Sequence, residues 1–396
     1  MSDLDRLHPT LTRRDALRAL GLAAGASWAA LLTGCGEDAP AGPATGSGAT
    51  GASATRARGE LLACGWSKTA EGRDIFSFAS LDLDRPKNSP RPIELGFYPH
   101  GIAIDPLDPN RIAIFEKRGK GACVVDLAEG RVVRPLTTSA DRQFYGHGVF
   151  STDGRILFCT ETDVENGYRG LVAMRDAKTL EPMGEFESHG SEPHDLLLVQ
   201  GGRVLAITNG GDAPDGTRPP SVTFVDVEKG TLLEDLRFTD PEINAGHLAM
   251  TSDGDLAVVS APRPGTFEDV HTASSGISFR PKGGELRTVV NPRTIAPRMV
   301  GESLSVAIDA ATGTVGVTNP DGDIVTFWDL AEGHLKGTLD VENPRGIALT
   351  ANGAHFVVAH DGGTRLSYVG SRDLALAGVQ TLPLPWAKGS HIVIRA

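Results

Sequence analysis

Pro99-His100-Gly101-Ile102-Ala103-Ile104, Gly146-His147-Gly148-Val149-Phe150, Pro193-His194-Asp195-Leu196-Leu197-Leu198 and Gly246-His247-Leu248-Ala249-Met250 repeat one pattern, a histidine set just before an apolar run. The histidines are 47, 47 and 53 residues apart. A second ladder runs between them: Val124-Val125-Asp126, Met174-Arg175-Asp176, Val225-Asp226-Val227 and Phe327-Trp328-Asp329, with the first three aspartates 50 apart. Leu-Ala-Glu-Gly recurs verbatim at 127–130 and 330–333. Short apolar runs separated by glycine turns at this period predict an all-β propeller of four-stranded antiparallel blades, because one such unit cannot bury both of its faces alone.

Residues 59–396 number 338, about 48 per blade if there are seven. Glu302-Ser303-Leu304-Ser305-Val306 and Arg345-Gly346-Ile347-Ala348-Leu349 continue the series of blade starts without a histidine. Asp153-Gly154, Asp253-Gly254 and Asp321-Gly322 are hairpin signals, expected where the first two strands of a blade join. Six starts fall from residue 99 onward, so the remaining blade must combine residues 59–95 with a closing strand near Ser390–Arg395. Such closure removes exposed sheet edges. Composition agrees: 48 glycines, about 12% of the 396 residues, ask for many tight turns. A net charge of −12 excludes the basic footprint of a nucleic-acid binder, and the chain is expected to be a monomer with no nucleic-acid partner.

Residues 1–34 read as an export signal. Arg13 and Arg14 precede an uncharged stretch, Ala19 to Leu32, too short to cross a bilayer comfortably, as in twin-arginine signals. Leu32-Thr33-Gly34-Cys35 resembles a lipoprotein box with Cys35 as the lipidated residue, and Gly36 after it points to the outer membrane. Residues 35–58 are small and polar and are expected to be a flexible tether. Gly46-Ser47-Gly48-Ala49-Thr50-Gly51 matches a dinucleotide fingerprint in form but lies in this tether, without a strand before it or a helix after it. Cys64, Cys123 and Cys159 remain, and no CxxC spacing occurs; Cys123 and Cys159 lie in apolar runs, so buried thiols are expected, with one disulfide as the alternative.

The segments GHGVFSTDGRILFCTETDVENG, GEFESHGSEPHDLLLVQGGRVLAITNGG, GHLAM and FWDLAEGHLKGTL resemble the DUF1513 family of secreted bacterial propeller-like proteins over most of residues 97–340. The resemblance implies a seven-bladed periplasmic propeller encoded near imelysin-like and iron-uptake proteins, and such a periplasmic protein as a partner. It implies no particular reaction.

In a propeller the start of each inner strand and the end of the next strand share one face. That places His100, His147, His194 and His247 around the mouth of one channel, with Glu116, Lys117, Arg118, Glu161, Asn209, Asn319 and His360 from second-strand ends and Glu302 and Arg345 at the histidine-free starts. Imidazole is the commonest protein ligand for transition metals, so the four histidines are candidate ligands for Fe, Cu or Zn, with Arg118, Glu161, Asn209, Glu302 and Arg345 in support. Two alternatives stand beside this: an anionic or sugar-like ligand, and histidines that pack at blade junctions as structural residues of an interaction scaffold. His189 is expected near the same face, whereas His334, His355 and His391 are expected to be surface or strand residues. Asp126, Asp176, Asp226 and Asp329 are expected to cap turns. No His-Glu-x-x-His or Gly-x-Ser-x-Gly motif occurs in residues 59–396. The blade starts also resemble propeller lactonases, and His194, Glu161 and Arg345 would then be the base, partner carboxylate and carbonyl-polarising cation.

Overall fold

The computed structural model describes residues 57–85, 92–211, 217–263, 267–289 and 292–396. Arg13, Arg14, Cys35 and nearly all of the expected signal and tether lie outside the described residues. Residues 57–396 form one compact unit built of strands, with two 3-10 turns, Ala296–Arg298 and Asp361–Gly363, and no α-helix among the described residues. Arg58, expected at the end of the tether, already belongs to the folded part: its N–H bonds Asp84 and its carbonyl accepts from Ala351.

All strand pairing is antiparallel, in up-and-down sheets whose first strand lies innermost. Five sheets are discrete four-stranded blades rather than the seven expected. The strands from Pro99–Ile104 to Pro182–Ser191 form one eight-stranded sheet, within which the four-strand order occurs twice. The joint is made by Arg111–Gly119 and Arg142–Phe150, both nine residues long, which pair at Lys117↔Tyr145 and Gly119↔Phe144. Their ladders were invisible as a joint because strand length past the period carries no repeat signal.

The first strands pack in sequence around the axis, Pro99–Ile104 on Arg142–Phe150, then Pro193–Val199, Leu248–Met250, Ser305–Asp309, Ile347–Leu349 and Ile392–Arg395. The last of these is the closing strand, paired with the start of the propeller through Glu60↔Arg395, Leu61↔Ile394, Leu62↔Val393 and Ala63↔Ile392. The core lies between sheets. Leu62, Phe78 and Ile93 of the closing sheet meet Ile112, Ile114 and Val125 of the next, and Val325 and Phe327 meet Ile347, Phe356 and Val358. Each large side chain buried this way contributes about 1.5–3 kcal/mol. A sheet apolar on both faces needs two neighbours, which is the physical reason the ring closes.

Turn chemistry follows the sequence with one correction. Asp153-Gly154 and Asp253-Gly254 join first and second strands, but Asp321-Gly322 joins the second and third, Thr314–Asn319 and Ile324–Asp329. An Asp-Gly pair marks a tight reversal without saying which hairpin it closes. The ladder aspartates cap turns: Asp126 accepts the Glu129 N–H at 2.9 Å, Asp176 that of Thr179 at 2.7 Å, Asp226 that of Lys229 at 2.6 Å and Asp329 that of Glu332 at 2.8 Å. Cys64, Cys123 and Cys159 are buried free thiols.

Candidate metal centre

His100, His194 and His247 sit where their inner strands begin and His147 lies within Arg142–Phe150, just after the part that joins the neighbouring unit, and the four side chains turn toward a common point. The ligand nitrogens of His100, His147, His194 and His247 all lie within 4.8 Å of one another, and all four residues are buried. His100 Nε2 is 3.2 Å from His194 Nε2 and 3.3 Å from His247 Nε2.

A fifth histidine joins them. His391 Nε2 lies 2.8 Å from His247 Nε2, and its ring packs edge-on against His100 and His147. The expectation that His391 is an unrelated surface or strand residue is therefore corrected. It precedes Ile392–Arg395, the inner strand of the closing sheet, and so occupies the same place as His100, His194 and His247. The sequence carried the signal: Ser390-His391-Ile392-Val393-Ile394 repeats the histidine-before-apolar pattern in the stretch assigned to closure.

Backbone packing makes this convergence possible. Gly146 has φ +118°, and a Cβ there would stand 2.6 Å from the His100 ring. Gly101 is constrained by contact alone, since a Cβ would strike the Gly146 carbonyl oxygen and reach 2.9 Å from His147 Nδ1.

Outer partners orient the rings. His247 Nδ1 bonds the Leu304 carbonyl, which can only accept, so the proton is on Nδ1 and the Nε2 lone pair faces the cluster. His147 Nδ1 lies 3.2 Å from Asp195 Oδ1. The Asp195 oxygens also accept the N–H groups of Leu196 at 2.8 Å and Leu248 at 3.2 Å, which marks the carboxyl as an acceptor. His147 Nε2 is left buried without a hydrogen-bond partner among the described residues.

Burial drives the electrostatics. It holds His100, His147, His194 and His247 well below the usual imidazole range, helped by the Lys117 charge and by one another. His391 is pushed down to about 3 by burial, then by Lys117 and Arg345. Burial raises Asp195 to about 7 against the two backbone N–H groups. Lys117 is lowered by burial, a change opposed by Glu302, whose carboxylate lies 4.0 Å from the ammonium. The imidazoles are thus neutral donors at pH 7.

Other expected site residues divide into two groups. Glu302 stands on the rim beside Lys117, Arg345 bears electrostatically on His391, and Arg118 bonds the Tyr145 hydroxyl at 2.6 Å, with the Tyr145 ring 5.6 Å from that of His194. Glu161 and Asn209 are not brought to the imidazoles. On the strand Ile156–Asp163, Thr160 faces the cluster side and bonds the carbonyls of His147 and His194, so Glu161 points the other way, to Arg175 at 3.0 Å and Thr138 at 2.8 Å. Asn209 bridges two sheets, accepting from Ser188 at 2.7 Å and donating to Thr223 at 3.1 Å. The trio His194, Glu161 and Arg345 therefore does not share one pocket. His189 Nε2 is 3.0 Å from the Gly230 carbonyl, away from the cluster, and His360 bonds Ser367 at 2.9 Å.

A match to the family described as "Protein of unknown function (DUF1513)" extends over residues 93–386, which include four of the five clustered histidines. The chain belongs to DUF1513. No curated protein matches it. Among solved structures, this DUF1513 propeller is similar to Kuenenia stuttgartiensis hydrazine synthase, with a TM-score of 0.60 and 13% identity over 82% of this chain and 99% of that one. At that identity the likeness is one of fold. The DUF1513 match ends before His391, so the fifth imidazole comes from the closing strand outside it.

Proposed function

We propose that this DUF1513 protein is a lipid-anchored propeller facing the periplasm that binds a transition-metal ion at the histidine-lined mouth of its channel. In this reading the eight-stranded sheet is two blades joined at their edges, which with the five discrete blades makes seven repeats. The observation that carries the reading is the spacing of the converging nitrogens. Nitrogens about 2.0–2.1 Å from one ion stand about 3.3 Å apart in a tetrahedron and about 2.9 Å apart as neighbours in a square or octahedral array. The Nε2 separations of 2.8, 3.2 and 3.3 Å fall on these edges.

Two further facts support it. Neutral imidazole lone pairs facing one another at such distances repel unless a cation or proton lies between them, and the buried His147 Nε2 has no partner. Each of His147 and His247 is also held through Nδ1 by an acceptor, the usual outer arrangement of a ligating histidine. An all-imidazole donor set suits Cu, Zn or Fe, and Cu(II) binds tightest in the divalent series. Periplasmic iron-uptake or imelysin-like proteins are the partners to which such a protein would present its metal, with Cys35 as the lipid attachment and Arg13 and Arg14 as the export signal.

Protein purified without a histidine tag is expected to retain about one ion of copper, zinc or iron per chain, or to take one up at micromolar concentration. His147→Ala combined with His194→Ala should abolish uptake. If elemental analysis and calorimetric titration with Cu(II), Zn(II) and Fe(II) find no binding at micromolar levels, the reading is wrong.

A further inference from the structure

We propose that the metal in this centre carries an exogenous carboxylate, seated between the ion and the side chains of Lys117 and Arg345; the inference rests on the metal reading above. Five imidazoles are neutral ligands and leave the full charge of a divalent ion in place. Two cations without a close carboxylate of their own stand beside them, a third, Arg118, bearing on His194 but being engaged by Tyr145 and Glu192. Lys117 projects from the end of Arg111–Gly119 next to Gly146, and its charge is felt by all five histidines. Arg345 stands beside the closing strand, its Nη2 3.5 Å from Ser390 Oγ next to His391, and it bears on both His391 and Lys117.

The negative charge nearby is insufficient. Glu302 is 4.0 Å from Lys117, with its side chain 39% exposed, Glu192, which also bears on Lys117, is engaged by Arg118 at 3.3 Å, and Asp195 lies behind His147. An ion and two cations in a site of this burial need a further anion, because uncompensated charge in a low-dielectric surrounding is costly.

The donors are also under-used. Arg345 Nε is buried without a hydrogen-bond partner among the described residues, and Nη2 meets Ser390 Oγ at only 3.5 Å. A guanidinium edge of this kind fits the two oxygens of a carboxylate, with Lys117 as a point charge on the same group. Lys117 and Glu302 are part-exposed while the four ladder imidazoles are buried, so the anion would enter on the Lys117 side.

The test uses untagged protein loaded with Cu(II), freed of excess metal and assayed for copper per chain. The loaded protein is titrated with sodium formate, and with sodium azide as a probe of an open metal position, while visible absorption and electron paramagnetic resonance are followed. Formate is expected to give a saturable spectral change. Lys117→Gln and Arg345→Gln should each weaken formate at least tenfold with copper per chain unchanged, and Arg345→Lys, which keeps charge but loses the fork, should weaken formate more than azide. Loaded wild-type protein whose spectrum formate leaves unchanged overturns the inference while leaving metal binding standing. Equal formate affinity in wild type and both Gln variants also overturns it. Failure of the wild type to hold copper overturns the metal reading itself, and the inference with it. If one variant does not fold, the other and the wild-type titration decide the matter.

Discussion

Asp195 is the residue on which the orientation of His147 depends. Its carboxyl bonds Nδ1 and two backbone N–H groups through both oxygens, so Asp195→Asn keeps the size, removes the charge that makes the imidazole a stronger ligand and turns an amide N–H onto one of those donors. Metal affinity is expected to fall about 10–100-fold, with the circular dichroism spectrum unchanged, because outer-partner substitutions commonly cost that much. His391→Ala is expected to weaken metal at least tenfold in a competition titration against a chromogenic chelator. The exposed His334, changed to Ala, should leave affinity unaltered. An equal effect of the two substitutions would remove His391 from the ligand set. At this scale the four ladder histidines were legible because the repeat places them at equivalent positions. His391 was missed although its local pattern is the same, since its strand is displaced to the other end of the chain. Glu161 was misplaced because a count of residues to a strand end gives the height of a side chain but not its face, and one step along a strand reverses the face.

The inner strands deliver the imidazoles, and their close approach depends on glycine. Gly101→Ala would push a methyl group into the Gly146 carbonyl and the His147 ring. Because the neighbouring backbone is held in the joined sheet, we expect a loss of about 1–3 kcal/mol in urea unfolding and a parallel loss of metal affinity. A variant as stable as wild type would show that Arg142–Phe150 yields more readily than its packing indicates. The closing strand carries the larger consequence. Truncation after Ser390 removes Ile392–Arg395 together with His391 and bares the edge of Glu60–Lys68. The truncated protein is expected to self-associate in light scattering, since an unpaired strand edge is a template for further pairing.

Over the whole molecule, the buried imidazoles couple stability to pH. The unfolded chain binds protons on these histidines near pH 6.5, whereas the native state holds them neutral, His391 down to about 3. In that interval the unfolded state binds more protons, so metal-free protein should lose stability as pH falls below about 6.5 and keep it above. Asp195 opposes this: raised to about 7, it favours the native state below its unfolded value and gives up that contribution as pH climbs toward 7. Five histidines outweigh one carboxyl, and the net slope should follow them. Urea midpoints of metal-free protein at pH 5 and 7.5 check the sign; a higher midpoint at pH 5 would mean that the cluster is protonated in the native state. Bound metal should raise the midpoint at pH 7.5 and steepen its fall toward pH 5, since protons compete for the same nitrogens.

By itself the sequence determined the repeat period, the strand character of each segment, the turn-capping aspartates, the closing strand and the histidine at each of four inner-strand starts. These are written in local patterns of alternation, turn residues and spacing, which chemistry enforces within a few residues. Tertiary structure alone decided that the four ladder nitrogens meet within 4.8 Å, with Nε2 contacts of 2.8–3.3 Å linking His391, His247, His100 and His194, that two four-strand units share one sheet, and that Glu161 and Asn209 serve sheet contacts. Those facts depend on how closely the ring closes and on which way each pleat faces, and closure is the summed result of packing between all the sheets rather than a property of any one of them.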